Sequence, residues 1–141
     1  MGREQTSDVM AEVAGDRLTD GVLRALSRGQ VIDITTLGRR SGKPHRIEIV
    51  FHNIDGNLYI SGMPSRRKRN WIANLEANPR FTFHLKRGVQ ADLPATARVI
   101  TDEEERRSIL AHIARIWGRH DLEIMVQYSP LIEVIIDGRA A

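Results

Sequence analysis

The sequence predicts an α+β, mainly β domain in which an antiparallel sheet closes into a small barrel with helices packed outside. Three observations predict it. Apolar and polar residues alternate over Arg46 to Phe51 and again over Arg80 to Lys86, as half-buried strands require. An Asp55-Gly56 dipeptide joins the first of these to Leu58-Tyr59-Ile60-Ser61, so that connection is a hairpin and not a crossover. Strands come in runs, which favours an antiparallel over a doubly wound parallel sheet, and closure into a barrel removes unpaired edges.

Taken in order, residues 1–20 are polar with little periodicity and predict a flexible N-terminal arm. Residues 21–137 then form one domain and 138–141 a tail. Val22, Leu23 and Leu26 have helical spacing, giving a short helix over Leu18 to Ser27 closed at Gly29. The apolar run Val31 to Thr36 breaks at the cationic turn Gly38-Arg39-Arg40-Ser41-Gly42-Lys43-Pro44. In the next strand Ile47, Ile49 and Phe51 share a face opposite Arg46 and Glu48. After the hairpin, the basic run Arg66 to Arg69 leads into a helix from Asn70, with Trp71, Ile72 and Leu75 on one face and a stop at Asn78-Pro79.

Phe81, Phe83 and Leu85 alternate with Thr82, His84 and Lys86 in the next strand, which ends at Gly88. Pro94 lacks a ladder donor, so Val89 to Ile100 reads as an irregular link followed by a strand over Ala95 to Ile100. Thr101 and Glu104 have capping-box spacing, and Asp102 to Glu105 suit the positive end of a helix dipole. The helix they start carries Ile109, Leu110, Ile113, Ile116 and Trp117 as its buried stripe and stops at Gly118. A short helix over Asp121 to Gln127, a strand over Leu131 to Ile136 and a frayed tail from Asp137 complete the chain.

At 141 residues the chain fits a single core that buries about two-thirds of the unfolded surface. Cysteine is absent, which excludes disulfides and thiolate metal sites and favours a reducing compartment. No apolar run approaches the ~18 residues of a membrane span, and the N-terminus has no signal-peptide core, so a cytoplasmic location is expected. The net charge of +3 conceals an uneven distribution. Arg39, Arg40, Lys43 and Arg46 form one basic group, Arg66 to Arg69 a second, and Lys86 and Arg87 a third, all at or beside turns. Gathered at one end of a barrel they make an anion site; left apart they are a solvated basic surface.

Other chemistries lack support. The histidines at 45, 52, 84, 112 and 120 show no pair at the helical spacing of zinc sites, so no metal is expected. Ser41, Ser61, Ser65 and Ser129 sit in no nucleophile elbow. Gly38 to Gly42 lacks the third glycine and following helix of a nucleotide-binding turn. Phe81 and Phe83 share their face with Leu85, which makes them core and not a stacking platform, so no nucleic-acid partner is expected.

The motif order Thr35-Thr36-Leu37-Gly38-Arg39-Arg40-Ser41-Gly42-Lys43-Pro44, hairpin, then Trp71-Ile72-Ala73-Asn74-Leu75-Glu76-Ala77-Asn78-Pro79, resembles the deazaflavin-dependent nitroreductase family. The match covers roughly Val31 to Ile136. That resemblance implies a split β-barrel of the flavin-reductase, FMN-binding-like fold. The implied activity is hydride transfer from reduced coenzyme F420 to an electron-poor acceptor such as a quinone, a nitroaromatic or an activated alkene. The coenzyme's tail carries a phosphate and glutamate carboxylates. It implies that Gly38, Arg39, Arg40, Ser41, Gly42, Lys43, Pro44, His45 and Arg46 hold this tail, together with Arg66, Arg67 and Arg69. Ser61, Gly62, Asn70 and Trp71 then lie near the deazaflavin ring, Trp71 having core packing as its competing role. Trp117 and Tyr128 are implied on the acceptor side, with Tyr128 as proton donor or ring contact and core packing the stronger role for Trp117. Alternatives are an FMN-dependent reductase of the same fold and a non-enzymatic carrier of an anionic ligand. Barrels of this fold often dimerise, so a homodimer is an allowed assembly.

Overall fold

The computed structural model describes residues 16–139. Residues 1–15 of the expected arm and the last two of the tail lie outside the described residues. Six strands, β1 (Gln30–Leu37), β2 (Pro44–Ile54), β3 (Asn57–Ser61), β4 (Arg80–Leu85), β5 (Ala91–Val99) and β6 (Leu131–Ile136), close into a barrel in the order β1-β2-β3-β6-β5-β4. Every neighbouring pair is antiparallel. Among the described residues four helices accompany them: α1 (Asp20–Leu26), α2 (Asn70–Ala77), α3 (Glu103–Trp117) and α4 (Leu122–Tyr128).

Alternation builds the core as expected. Ile32 and Ile34 from β1, Phe51 from β2, Ile60 from β3, Phe83 from β4 and Leu93 from β5 are fully buried inside the barrel. The Phe51 and Phe83 rings meet edge to face at 5.1 Å, a geometry that aligns the positive ring edge with the negative face. A second apolar cluster lies outside the barrel, where Ile109, Leu110 and Ile113 of α3 and Met125 and Val126 of α4 pack with Tyr59 and Leu131. The hairpin turn has positive φ at both Asp55 (54°) and Gly56 (89°), the demand of a two-residue primed turn that this dipeptide meets.

The structure departs from the sequence expectation at five places. β5 starts at Ala91 and runs through Pro94, which pairs with Thr82. The carbonyl of Pro94 accepts from Asp137 N at 3.0 Å, just past Ala95↔Ile136, where the β5–β6 ladder ends. Carbonyl and amide of an antiparallel residue point the same way, so the missing donor faces the end of the ladder and costs no bond. The N-cap of α3 is Asp102, not Thr101, and its carboxylate accepts from Glu105 N at 3.0 Å. Replacing Asp102 by Ala should lower stability by about 1 kcal/mol, read from urea midpoints, whereas T101A should leave them unchanged. Ile116 is 62% exposed, because its position faces away from the packed stripe. α1 begins after Thr19, whose hydroxyl accepts from Val22 N, and ends on Ser27 in right-handed conformation without using Gly29. Residues 137–139 are fastened where a frayed tail was expected: Asp137 pairs with Arg80 at 2.8 Å, and Arg139 donates to the Gly56 carbonyl at 2.7 Å.

The two histidines on inner strands lie apart. His84 bridges Thr35 Oγ1 (2.7 Å) and Asp92 Oδ1 (2.6 Å). His52 is buried beneath α3 with its ring centroid 5.5 Å from that of Trp117, and its Nε2 has no partner among the described residues. Burial holds the His52 imidazole below its ordinary value of 6.5. The unfolded chain therefore takes up the proton first: stability is fully present above pH 6.5 and falls as pH drops below it through the folded value. One differential proton gives a slope of at most about 1.4 kcal/mol per pH unit, which should flatten in H52F when urea midpoints are followed from about pH 7.5 to about pH 5.5.

Candidate functional site

Two adjoining cavities lie where the β1–β2 turn, α2 and the end of α4 meet. The first, of about 500 Å³, has Thr36 and Ile47 from the inward faces of β1 and β2 as its floor, with Trp71 and Asn74 of α2 as one wall. Its rim is the stretch Gly38 to Ser41 of the β1–β2 turn, which Gly42 and Lys43 close. Gly38 N donates to the Lys43 carbonyl and Gly42 N to the Gly38 carbonyl, both at 2.8 Å, and Ser41 Oγ accepts from Lys43 N. A Cβ at Gly38 would stand 2.6 Å from Ser41 Oγ and 2.9 Å from His45 Nε2, so the hydroxyl and the imidazole would have to turn away to admit one. Bare backbone is therefore what allows the hydroxyl and the imidazole to crowd against the turn.

Asn74, only 4% exposed, ties this turn to the helix. Its Oδ1 accepts from Arg39 N (3.1 Å) and Arg39 Nη1 (3.0 Å), while its Nδ2 donates to Thr36 Oγ1 at 3.2 Å. Arg39 is thus oriented by neutral amide oxygens, and no described carboxylate compensates its charge. Arg40 lines the same cavity. Nearby cations on other faces are already paired. Arg46 bonds Asp33 at 2.9 Å on the outer face of β2, and Lys86 reaches Asp33 and Glu48 at 2.7 and 2.5 Å. The hydrogen bond from Lys86, with help from Arg46, holds the Asp33 carboxyl below its usual range. Among the described residues, Arg39, Arg40, Arg66, Arg67 and Arg69 have no carboxylate partner. The cavities are therefore lined with arginines to which no described carboxylate is paired, an arrangement suited to an anionic ligand.

The second cavity, about 350 Å³, lies between the basic loop Ser65 to Arg69 and the junction of α4 with β6. That loop is docked by its own bonds. Ser65 N donates to the Tyr128 carbonyl at 3.0 Å, and Ser61 Oγ, buried at the end of β3, donates to the Pro130 carbonyl at 2.6 Å. Arg66 donates to the Tyr128 hydroxyl at 3.1 Å and lies 4.8 Å over its ring, a cation–π contact. A Cβ on Gly62 would meet Pro130 Cγ at 3.2 Å and Arg69 Cζ at 3.5 Å, so the Arg69 guanidinium lies across bare backbone. Arg69 borders both cavities. It is also the N-cap of α2 and offers no side-chain acceptor, which leaves the first-turn amides of that helix with free donor capacity.

Arg106 completes the second cavity. Its guanidinium donates to four carbonyls, those of Ile100 (2.9 Å), Val126 (2.8 Å), Met125 (3.3 Å) and Ser129 (2.6 Å). Desolvation pulls its pKa down from the ordinary guanidinium value. These bonds hold the last turn of α4 and so fix where Tyr128 stands.

Of the residues the sequence singled out, the first cavity gathers Gly38, Arg39, Arg40, Ser41, His45, Arg69, Asn70 and Trp71. Arg66, Arg67 and Tyr128 stand with Arg69 at the second. Gly42, Lys43 and Pro44 shape or flank the turn without lining either, Arg46 faces Asp33, Ser61 is buried, and Gly62 underlies Arg69. Trp117 packs on His52 away from both cavities. Sequence reasoning passed over Thr36, Ile47, Asn74 and Arg106. Two of these carry a legible mark: Asn74 stands three residues after Trp71, and Arg106 stands three and four before Ile109 and Leu110, so each puts a polar group on an apolar helical face.

A closed antiparallel barrel with outer helices and a cation-lined cavity at its turns defines the class: a split β-barrel similar to the pyridoxamine-phosphate-oxidase and flavin-binding folds. Three solved structures share the fold. A protein described as a putative pyridoxamine 5'-phosphate oxidase from Listeria innocua is 17% identical, with 86% of this chain and 94% of that chain covered and a TM-score of 0.62. A structure described as an F420 reductase is 13% identical over 85% and 96% of the two chains, with a TM-score of 0.63. Another, described as a domain-swapped dimer, is 22% identical over 94% and 95%, with a TM-score of 0.51. No curated protein sequence matches the chain. Residues 8–128 match the family described as F420H(2)-dependent quinone reductase, and the chain belongs to that family. It is an oxidoreductase that uses the reduced deazaflavin coenzyme F420 to reduce an electron-poor acceptor. Membership selects the deazaflavin over FMN and an enzyme over a carrier. Among the described residues no helix is long and apolar enough to cross a membrane.

Proposed function

We propose that the first cavity holds coenzyme F420 and that the second receives a quinone acceptor beside Tyr128. The reading rests on one observation: the arginines lining both cavities lack carboxylate partners among the described residues, while the basic residues Arg46, Lys68 and Lys86 are all paired. The residues fit such a coenzyme. Arg39 and Arg40 neutralise tail phosphate and carboxylates, the bare backbone at Gly38 permits close approach, and the first-turn amides of α2 supply donors for a phosphate. Thr36, Ile47 and Trp71 give a partly apolar wall for a planar ring. When bound, the reduced deazaflavin supplies the hydride. The chain's own part is to orient the acceptor, exclude water and present the Tyr128 hydroxyl, held by Arg66, to an oxygen that gains charge. The activity resides in residues 21–137, with a cytoplasmic location, and a homodimer is part of this reading.

A kinetic cross tests it. R40A should raise KM for the reduced coenzyme by about tenfold, the value of one charge-assisted contact, and leave KM for menadione in place. Y128F should alter only the parameters for menadione. Both substitutions acting on the same substrate would contradict the division of the two cavities.

A further inference from the structure

We propose that the Ser129 hydroxyl is a further acceptor-binding group: from the wall of the second cavity it donates a hydrogen bond to a carbonyl oxygen of the quinone and so sets how the acceptor lies beside Tyr128. The inference rests on the reading that the second cavity receives the acceptor.

Ser129 stands where α4 gives way to β6 and belongs to the lining of that cavity. It is 3% exposed, and its Oγ has no hydrogen-bond partner among the described residues. The segment around it is firmly held. Ser129 N donates to the Met125 carbonyl at 2.9 Å, and the Ser129 carbonyl accepts from Arg106 Nη2 at 2.6 Å. On either side, the Tyr128 carbonyl accepts from Ser65 N at 3.0 Å and the Pro130 carbonyl from Ser61 Oγ at 2.6 Å. Three successive carbonyls are thus fixed from the basic loop, α3 and the end of β3, which leaves the backbone no slack to bring the hydroxyl to an acceptor. A buried donor without an acceptor destabilises a fold. The other unpartnered buried atom, His52 Nε2, is an unmet donor in only one imidazole tautomer, whereas a hydroxyl always carries its proton.

A ligand oxygen in the cavity can supply what the chain does not. Rotation about Cα–Cβ moves a serine hydroxyl between staggered positions while the backbone stays in place. The wall that carries Ser129 suits a neutral ligand. The basic loop forms the opposite side and remains open to the coenzyme's anionic groups. Around Ser129 the lining is Tyr128, Pro130 and the buried Ile100 and Leu131, and the Arg106 guanidinium is spent on four carbonyls. A quinone matches both features, with a flat apolar body for Ile100 and Leu131 and a carbonyl oxygen that accepts from Ser129. That oxygen gains charge as the quinone is reduced, so the hydrogen bond strengthens toward the transition state.

The test compares S129A with wild type in the urea midpoint of the ligand-free protein, in kinetics with menadione and in KM for the reduced coenzyme. The substitution deletes an unmet donor, so the midpoint should stay in place or rise. The kcat/KM for menadione should fall by about fivefold to tenfold, the worth of one hydrogen bond, and KM for the coenzyme should not change. A lowered midpoint would mean that the hydroxyl is already bonded in the free protein, and unaltered menadione kinetics would mean that it does not meet the acceptor; either overturns the proposal. Y128F, measured in parallel, separates this inference from the reading beneath it. If Y128F alters the menadione parameters and S129A does not, only the role of Ser129 fails. If both variants change KM for the coenzyme and leave the menadione parameters in place, the assignment of the second cavity fails with it.

Discussion

The double variant R39A/R40A should lose affinity for coenzyme F420 by more than about a hundredfold, because two charge-assisted contacts of about 1.5 to 3 kcal/mol each disappear together. The size follows from what these side chains lack. Neither has a carboxylate partner among the described residues, so no internal ion pair must be broken before a ligand anion is bound. Arg39 is also prepositioned by Asn74 through its backbone amide and its guanidinium, which lowers the ordering cost of recruiting it. K43A is the informative control. Lys43 belongs to the same basic turn but lines neither cavity, and its loss should change affinity by less than about threefold, as for a screened surface charge. Full affinity in a folded R39A/R40A protein would remove the turn from the coenzyme site.

Asn74→Ala should have the largest effect on stability among the site residues. The substitution deletes one buried acceptor that serves two donors of Arg39 and one donor that serves Thr36, itself 1% exposed. Each buried group left without a partner costs about 1 to 3 kcal/mol, so a loss of about 2 to 4 kcal/mol is expected in urea unfolding. The same change releases Arg39, and coenzyme affinity should fall by about tenfold in the folded fraction. Replacement of the neighbouring Ala73 by Ser makes no comparable demand and should leave both readouts near wild type. An N74A protein of unchanged stability would mean that the bonds to Arg39 and Thr36 are replaced by solvent.

Most of the barrel was legible because the strands that build it are half-buried. Ile47-Glu48-Ile49 and Phe81-Thr82-Phe83 alternate strictly, and Asp55-Gly56 admits little besides a hairpin. β5 was only half legible. Local rules count Pro94 as a strand breaker, and only the place where β6 ends shows that its missing donor faces no partner. The cap of α3 was off by one residue, since Thr101 and Asp102 both have capping chemistry and the choice between them is made by backbone geometry. At the site, the cationic turn and the basic loop were read from composition, but composition does not say which cations are already paired. Arg46 and Arg40 look alike in sequence. Strand alternation turns Arg46 toward Asp33, whereas Arg40 sits in the turn bordering the cavity. The division of the basic residues between two cavities depends on how Ser61 docks against Pro130 and the Ser65 to Arg69 loop against Tyr128, contacts more than sixty residues apart in sequence.

The two tryptophans allow the central claim, that the first cavity is the coenzyme site, to be tested in one titration. Trp71 borders that cavity, and Trp117 packs on His52 on the other side of the sheet wall. Coenzyme F420 is added to nitrogen-15-labelled protein and the two indole N–H resonances are followed by two-dimensional NMR. The account predicts a saturable shift of Trp71, with the amides of Arg39 to Ser41 moving in parallel, and a Trp117 resonance that stays in place. A shift confined to Trp117 and the amides of α3, with Trp71 unmoved at saturation, would contradict it.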